Sequence, residues 1–75
     1  MPHITVKLYP GKSEVQKKQL ADQIVNAVIN TLGNGEESVS VSFEEISARD
    51  WKAKVYQPEI QDKQNLLYKK PGYTM

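Results

Sequence analysis

Two short runs of strict apolar–polar alternation, separated by one long amphipathic stretch, constrain this chain more than any other feature. His3-Ile4-Thr5-Val6-Lys7-Leu8 sets Ile4, Val6 and Leu8 on one face and His3, Thr5 and Lys7 on the other, the period of two that a half-buried strand requires. Ser38 to Glu44 repeats the pattern, with Val39, Val41 and Phe43 opposed to Ser40, Ser42 and Glu44. Between them, Ser13 and Gln16 stand at capping-box spacing, in which each side chain satisfies a backbone N–H of the other. From Val15 onward Leu20, Ile24, Ala27, Val28 and Leu32 recur every three or four residues, with Lys17, Lys18, Asp22 and Asn26 mostly on other faces. Gly33-Asn34-Gly35 supplies the left-handed stop. Strands joined by a helix of about five turns cannot close as a hairpin, so they lie parallel through a right-handed crossover. Past Ile46 the pattern weakens. Ala48 to Trp51 reads as a turn or short helix, and Pro58 suits the first turn of a further helix containing Ile60, Leu66 and Leu67 and ended by Pro71-Gly72.

The expected fold class is therefore α/β: a β-α-β unit forming one domain over residues 1–75, its two parallel strands completed to a larger sheet by oligomerisation. Length supports the last step. At 75 residues the chain buries only ~60–65% of the surface its unfolded form exposes and needs reinforcement. With no cysteine and one histidine, disulfides, cysteine-ligated metal, thiol nucleophiles and multi-histidine metal sites are excluded, which leaves a second copy. A homodimer pairing two units into a four-stranded sheet is the simplest solution, and it places any active site near a subunit boundary. A formal net charge of +1 without a basic stripe argues against a nucleic-acid partner. No apolar run approaches the ~20 residues of a membrane span, and no signal-peptide pattern opens the chain, so a cytoplasmic protein without a membrane partner is expected.

Few side chains offer chemistry. The serines have only His3 as a possible base, with no acid partner beside it, and Glu44 and Glu45 point to opposite faces if the strand continues. Pro2 is different. Removal of Met1, normal before a small residue, leaves a free secondary amine, and an α-amino group titrates at ~7.7–8.0 before burial lowers it. Such an amine is poised to move protons on carbon. The competing reading is a Met-Pro start with no role.

Taken together, the proline ahead of an alternating strand, the turn ending Gly11-Lys12-Ser13, the capped helix, the second strand and Trp51 resemble the 4-oxalocrotonate tautomerase family over nearly the whole chain. The start Pro2-His3-Ile4 and the ending Lys69-Lys70-Pro71-Gly72-Tyr73-Thr74-Met75 are most like its dimeric members. The resemblance implies a β-α-β fold, keto–enol tautomerisation without metal or organic cofactor, and Pro2 as general base and acid. It also implies that Lys12, where the type enzyme has an arginine, binds a substrate carboxylate, though without the bidentate fork. Trp51 matches the aromatic wall that keeps the proline dry. Ser40 departs from the pattern, standing where the type enzyme has a second arginine, and this favours a substrate with one carboxylate and an apolar tail over a diacid. Arg49, the chain's single arginine, is a candidate for the missing cation, with an exposed loop arginine as the competing reading.

The expected function is thus a cofactor-independent tautomerase acting on a small-molecule enol of a 2-oxo acid, phenylenolpyruvate-like, with Pro2 catalytic and Lys12, Trp51 and Arg49 binding substrate. A same-family decarboxylase or dehalogenase using the same proline, and a non-catalytic dimerising module that binds a ligand, are the alternatives.

Overall fold

The computed structural model describes all 75 residues. Backbone contacts divide the chain into two compact units, Met1–Glu45 and Ile46–Met75. The first unit is the expected crossover: β1 (His3–Leu8), α1 (Glu14–Leu32), a single 3-10 turn (Glu36–Ser38) and β2 (Ser40–Glu45). The strands pair in parallel from His3 opposite Ser40 to Leu8 opposite Glu45.

Each boundary has a local cause. Ser13 Oγ accepts the Gln16 N–H at 3.1 Å while Gln16 Oε1 accepts the Ser13 N–H at 3.0 Å, so the capping box starts α1 as expected. Gly33 ends it at φ 77°, its N–H bonded to Ile29 O. Gly11 takes φ 121°, a turn conformation that few other residues adopt, and redirects the chain between β1 and α1. β2 begins two residues later than the alternation suggests. The acidic pair Glu36-Glu37 and Ser38 close the 3-10 turn through Ser38 N–H to Gly35 O and Val39 N–H to Glu36 O, both at 3.1 Å, with Ser38 Oγ donating to Gly35 O at 2.8 Å. A two-residue shift preserves the faces, so Val41 and Phe43 still join Ile4, Val6 and Leu8 on the half-buried side.

The helix meets the sheet on a different stripe from the one expected. Lys17, Ala21, Ile24, Val25, Val28 and Ile29 are half-buried, whereas Val15, Leu20 and Leu32 remain 67%, 40% and 64% exposed. The apolar surface of α1 is wider than one sheet can cover. Lys17 in particular lies on the covered side, its stem packed and its ammonium turned to Glu14 at 2.9 Å and Glu45 at 3.3 Å. No residue of this unit is buried outright.

All three buried apolar residues, Ile46, Val55 and Tyr56, belong to the second unit. Here Ser47 caps α2 (Ala48–Trp51), its Oγ accepting the Asp50 N–H at 3.2 Å. The chain then continues without a break into a π-helical segment, Lys52–Gln61, that contains Pro58 and ends with Asp62 N–H bonded to Gln57 O at 3.0 Å. The expected helix from Pro58 is therefore corrected. Pro58 sits inside a helix nucleated eleven residues earlier by the Ser47 cap, and Leu66 lies beyond it in a 3-10 turn, Gln64–Leu66, 62% exposed. The wide i→i+5 turn accommodates a residue that has no N–H to give, and the pair Val55-Tyr56, not Leu66-Leu67, supplies the buried contact. No helix is long and apolar enough to cross a membrane.

Candidate active site

Pro2 leads into β1 and is half-buried, while Met1 before it is 97% exposed. The Pro2 carbonyl accepts the Ser40 N–H at 3.2 Å, which extends the ladder one residue beyond the strand and holds the proline to the head of β2. On the polar face beside it, His3 Nδ1 lies 2.7 Å from Ser40 Oγ, His3 Nε2 lies 3.3 Å from Thr5 Oγ1, and Thr5 Oγ1 lies 3.2 Å from Ser42 Oγ. Ser40 is thus a strand-end tie, its hydroxyl paired with His3 and its N–H with the Pro2 carbonyl. Alternation of Glu44 and Glu45 holds: Glu44 lies 4.0 Å from Lys7 and Glu45 3.3 Å from Lys17, on opposite sides, and they form no carboxylate pair.

Lys12 stands at the other end of β1. The six residue steps from Pro2 to Leu8 span ~20 Å at strand rise, and the chain turns only after that. There an open hollow of about 200 Å³ is lined by Leu8, Lys12, Gln16, Lys17, Leu20 and Phe43. Its walls are mainly apolar, with Lys12 and Lys17 among the lining residues. Lys17 is bound to its acids, and its pKa is raised above 10.5, first by the hydrogen bond to Glu14 and next by that to Glu45. Lys12 is exposed, ahead of the helix cap, and stands beside the apolar residues of the hollow. Pro2 is not part of this hollow.

The two remaining expected residues share α2. Arg49 is 92% exposed along its side chain, 4.0 Å from Asp50, which Lys54 also approaches at 3.5 Å. Trp51 is half-buried, and its indole Nε1 donates to Tyr73 Oη at 3.1 Å. The Tyr73 ring in turn packs on Tyr56, centroids 5.8 Å apart. Neither the Tyr73 contact with Trp51 nor the ion pairs of Lys17 are expected from the sequence. Tyr73 falls in a terminal segment without periodicity, and Lys17 looked like one solvent-facing lysine among several.

A small parallel βαβ unit headed by a proline defines a class. Residues 2–56 match the family model described as tautomerase enzyme, and the chain belongs to that family. It is accordingly a tautomerase, an isomerase by reaction class. Tautomerase PptA of Cronobacter sakazakii is 40% identical over 76 aligned residues, covering all of both chains. A probable tautomerase of Xylella fastidiosa is 40% identical over 97% of this chain and 89% of its own. Among solved structures, TomN, a 4-oxalocrotonate tautomerase homologue in the tomaymycin biosynthetic pathway, superposes with a TM-score of 0.65 at 34% identity, covering 67% of this chain and 77% of that one. The α/β architecture is that of the 4-oxalocrotonate tautomerase homologues.

Proposed function

We propose that this tautomerase ketonises the enol of a 2-oxo acid bearing one carboxylate and an aryl or other apolar tail, with Pro2 as its general base and acid once Met1 has been removed. The carrying observation is the placement of Pro2. Its carbonyl is fixed by Ser40 while residue 1 is almost fully exposed, so loss of Met1 removes no packing and leaves a secondary amine at a held position. That the family match opens at residue 2 supports the same reading. The amine takes the hydroxyl proton of the enol, the oxygen lone pair forms the C2 carbonyl, and the C2–C3 double-bond pair takes a proton at C3 from the ammonium so produced. Charge gathers on the substrate oxygen during transfer, and a cation facing the carboxylate side stabilises it. Lys12 is that cation, Trp51 is the wall against the tail, and Arg49 supplies additional positive charge.

Because Pro2 and Lys12 occupy opposite ends of β1, one site needs two chains. Antiparallel pairing of the open β1 edges of two copies sets the Pro2 end of one beside the Lys12 end of the other. The wide apolar surface of α1, with Leu20 and Leu32 uncovered, supports the same homodimer. This arrangement completes the sheet to four strands.

The test compares phenylenolpyruvate ketonisation by protein of intact mass lacking Met1 with protein retaining it. A rate far above buffer for the first and none for the second is expected, since Pro2 after Met1 is an amide nitrogen. Equal rates would refute the role of Pro2.

A further inference from the structure

Tyr73 lies two residues before the last residue of the sequence, outside every helix and strand, yet its side chain is engaged on two sides. The Trp51 indole donates to its hydroxyl at 3.1 Å, and its ring meets that of Tyr56 at 5.8 Å and 37°, within the range of favourable aromatic pairs. Tyr56 is only 6% exposed and sits on the π-helical segment, so one neighbour of the phenol is fixed by burial. Tyr73 is itself 46% exposed, and its side chain meets the ring of the buried Tyr56 and the indole of Trp51.

Trp51 is the last residue of the four-residue α2 and is half-buried, with its indole N–H directed at the Tyr73 hydroxyl. A planar ring presents either a face or an edge to an aryl group, and the two contacts differ in energy because of the ring quadrupole. A hydrogen bond from the indole edge to the Tyr73 oxygen favours one orientation of the indole plane.

We propose that Tyr73 is a positioning residue that sets the indole plane of Trp51 and thereby the fit of the substrate's aryl tail. The proposal rests on the reading of Trp51 as the wall of the Pro2 site. Tyr73 does not touch the reacting atoms; its effect falls on binding of the tail, and through Trp51 alone.

The experiment uses Met1-processed protein as native, Tyr73→Phe, Trp51→Phe and the double variant. Tyr73→Phe keeps the ring on Tyr56 and removes only the hydroxyl. Trp51 is the chain's one tryptophan, so intrinsic fluorescence reports on it directly. Tyr73→Phe is expected to shift the emission and increase acrylamide quenching, to raise KM for phenylenolpyruvate by about 3- to 10-fold with kcat within about twofold, and to add nothing in the Trp51→Phe background. Unchanged emission and quenching in Tyr73→Phe overturn the anchoring itself. Altered emission with unchanged KM in both Tyr73→Phe and Trp51→Phe overturns the proposal through the wall reading, with the anchoring intact. A KM rise that persists in the Trp51→Phe background also overturns it, since Tyr73 then acts independently of the indole.

Discussion

His3 and Ser40 face each other as the first register pair of the sheet, imidazole Nδ1 and hydroxyl oxygen 2.7 Å apart, and the backbone N–H of the same serine holds the carbonyl of Pro2 at 3.2 Å. One residue of β2 thus ties the head of β1 through side chain and backbone. The backbone bond is the one that reaches Pro2. Ser40→Ala removes only an exposed side-chain hydrogen bond and is expected to cost under ~1 kcal/mol in urea unfolding, with ketonisation retained. Loss of activity in that variant would show that the hydroxyl, and not the backbone N–H, holds the site.

Replacing Pro2 by alanine leaves a primary amine in the same place once Met1 is removed, without the ring that fixes φ. A general base contributes ~10²–10⁴-fold, and the expected loss in kcat/KM is ~10²-fold, with the fold retained by circular dichroism. On the proposed role of Pro2, kcat/KM of the native protein is expected to rise with pH as the ammonium loses its proton. A profile flat from pH 5 to 9 would remove Pro2 from the chemistry.

Lys17 joins α1 to the end of β2 through Glu14 and Glu45, and both contacts raise its pKa above 10.5. A group whose pKa is higher folded than unfolded contributes its full stability below the unfolded value and loses it as pH climbs through the folded one. Thermal unfolding of native protein should therefore fall in Tm above pH 10.5 more steeply than that of Lys17→Met, with the two curves parallel near neutrality. Parallel curves through pH 11.5 would mean that the ion pairs do not form.

Gly33 takes φ 77° with open space around the position a Cβ would occupy, so alanine there meets strain and no clash. Gly33→Ala should cost ~1 kcal/mol by denaturant unfolding with an unchanged m-value. A neutral result would place the end of α1 elsewhere in solution.

The uncovered side of α1 carries Leu20 at 40% and Leu32 at 64% exposure. Leu32→Lys should shift sedimentation toward the monomer and reduce ketonisation in proportion, because in the proposed homodimer the Lys12 that serves one Pro2 comes from the other copy. A monomeric variant with native activity would return both residues to one chain.

Much of the crossover unit was legible before any coordinates. The alternation at His3–Leu8, the Ser13/Gln16 box and Gly33 each act within one or two turns of chain, and each appears where local chemistry puts it. Pro58 shows where that reasoning ends. A proline signals the start of a helix only if nothing upstream has started one, and Ser47 had; burial of Val55 and Tyr56 then carried the helix through it. Lys17 followed the same logic, since its ammonium reached two carboxylates and let its stem lie against the sheet.

The sequence by itself determined the parallel pair, its faces and the capped helix between them, because hydrophobic period and backbone capping are properties of neighbouring positions. Only the tertiary structure decided which residues meet. It closed Ser40 onto His3 across 37 positions and brought Tyr73 to Trp51 across 22. Contacts over such separations depend on how whole elements pack, and that packing carries no signature in any short window of the chain.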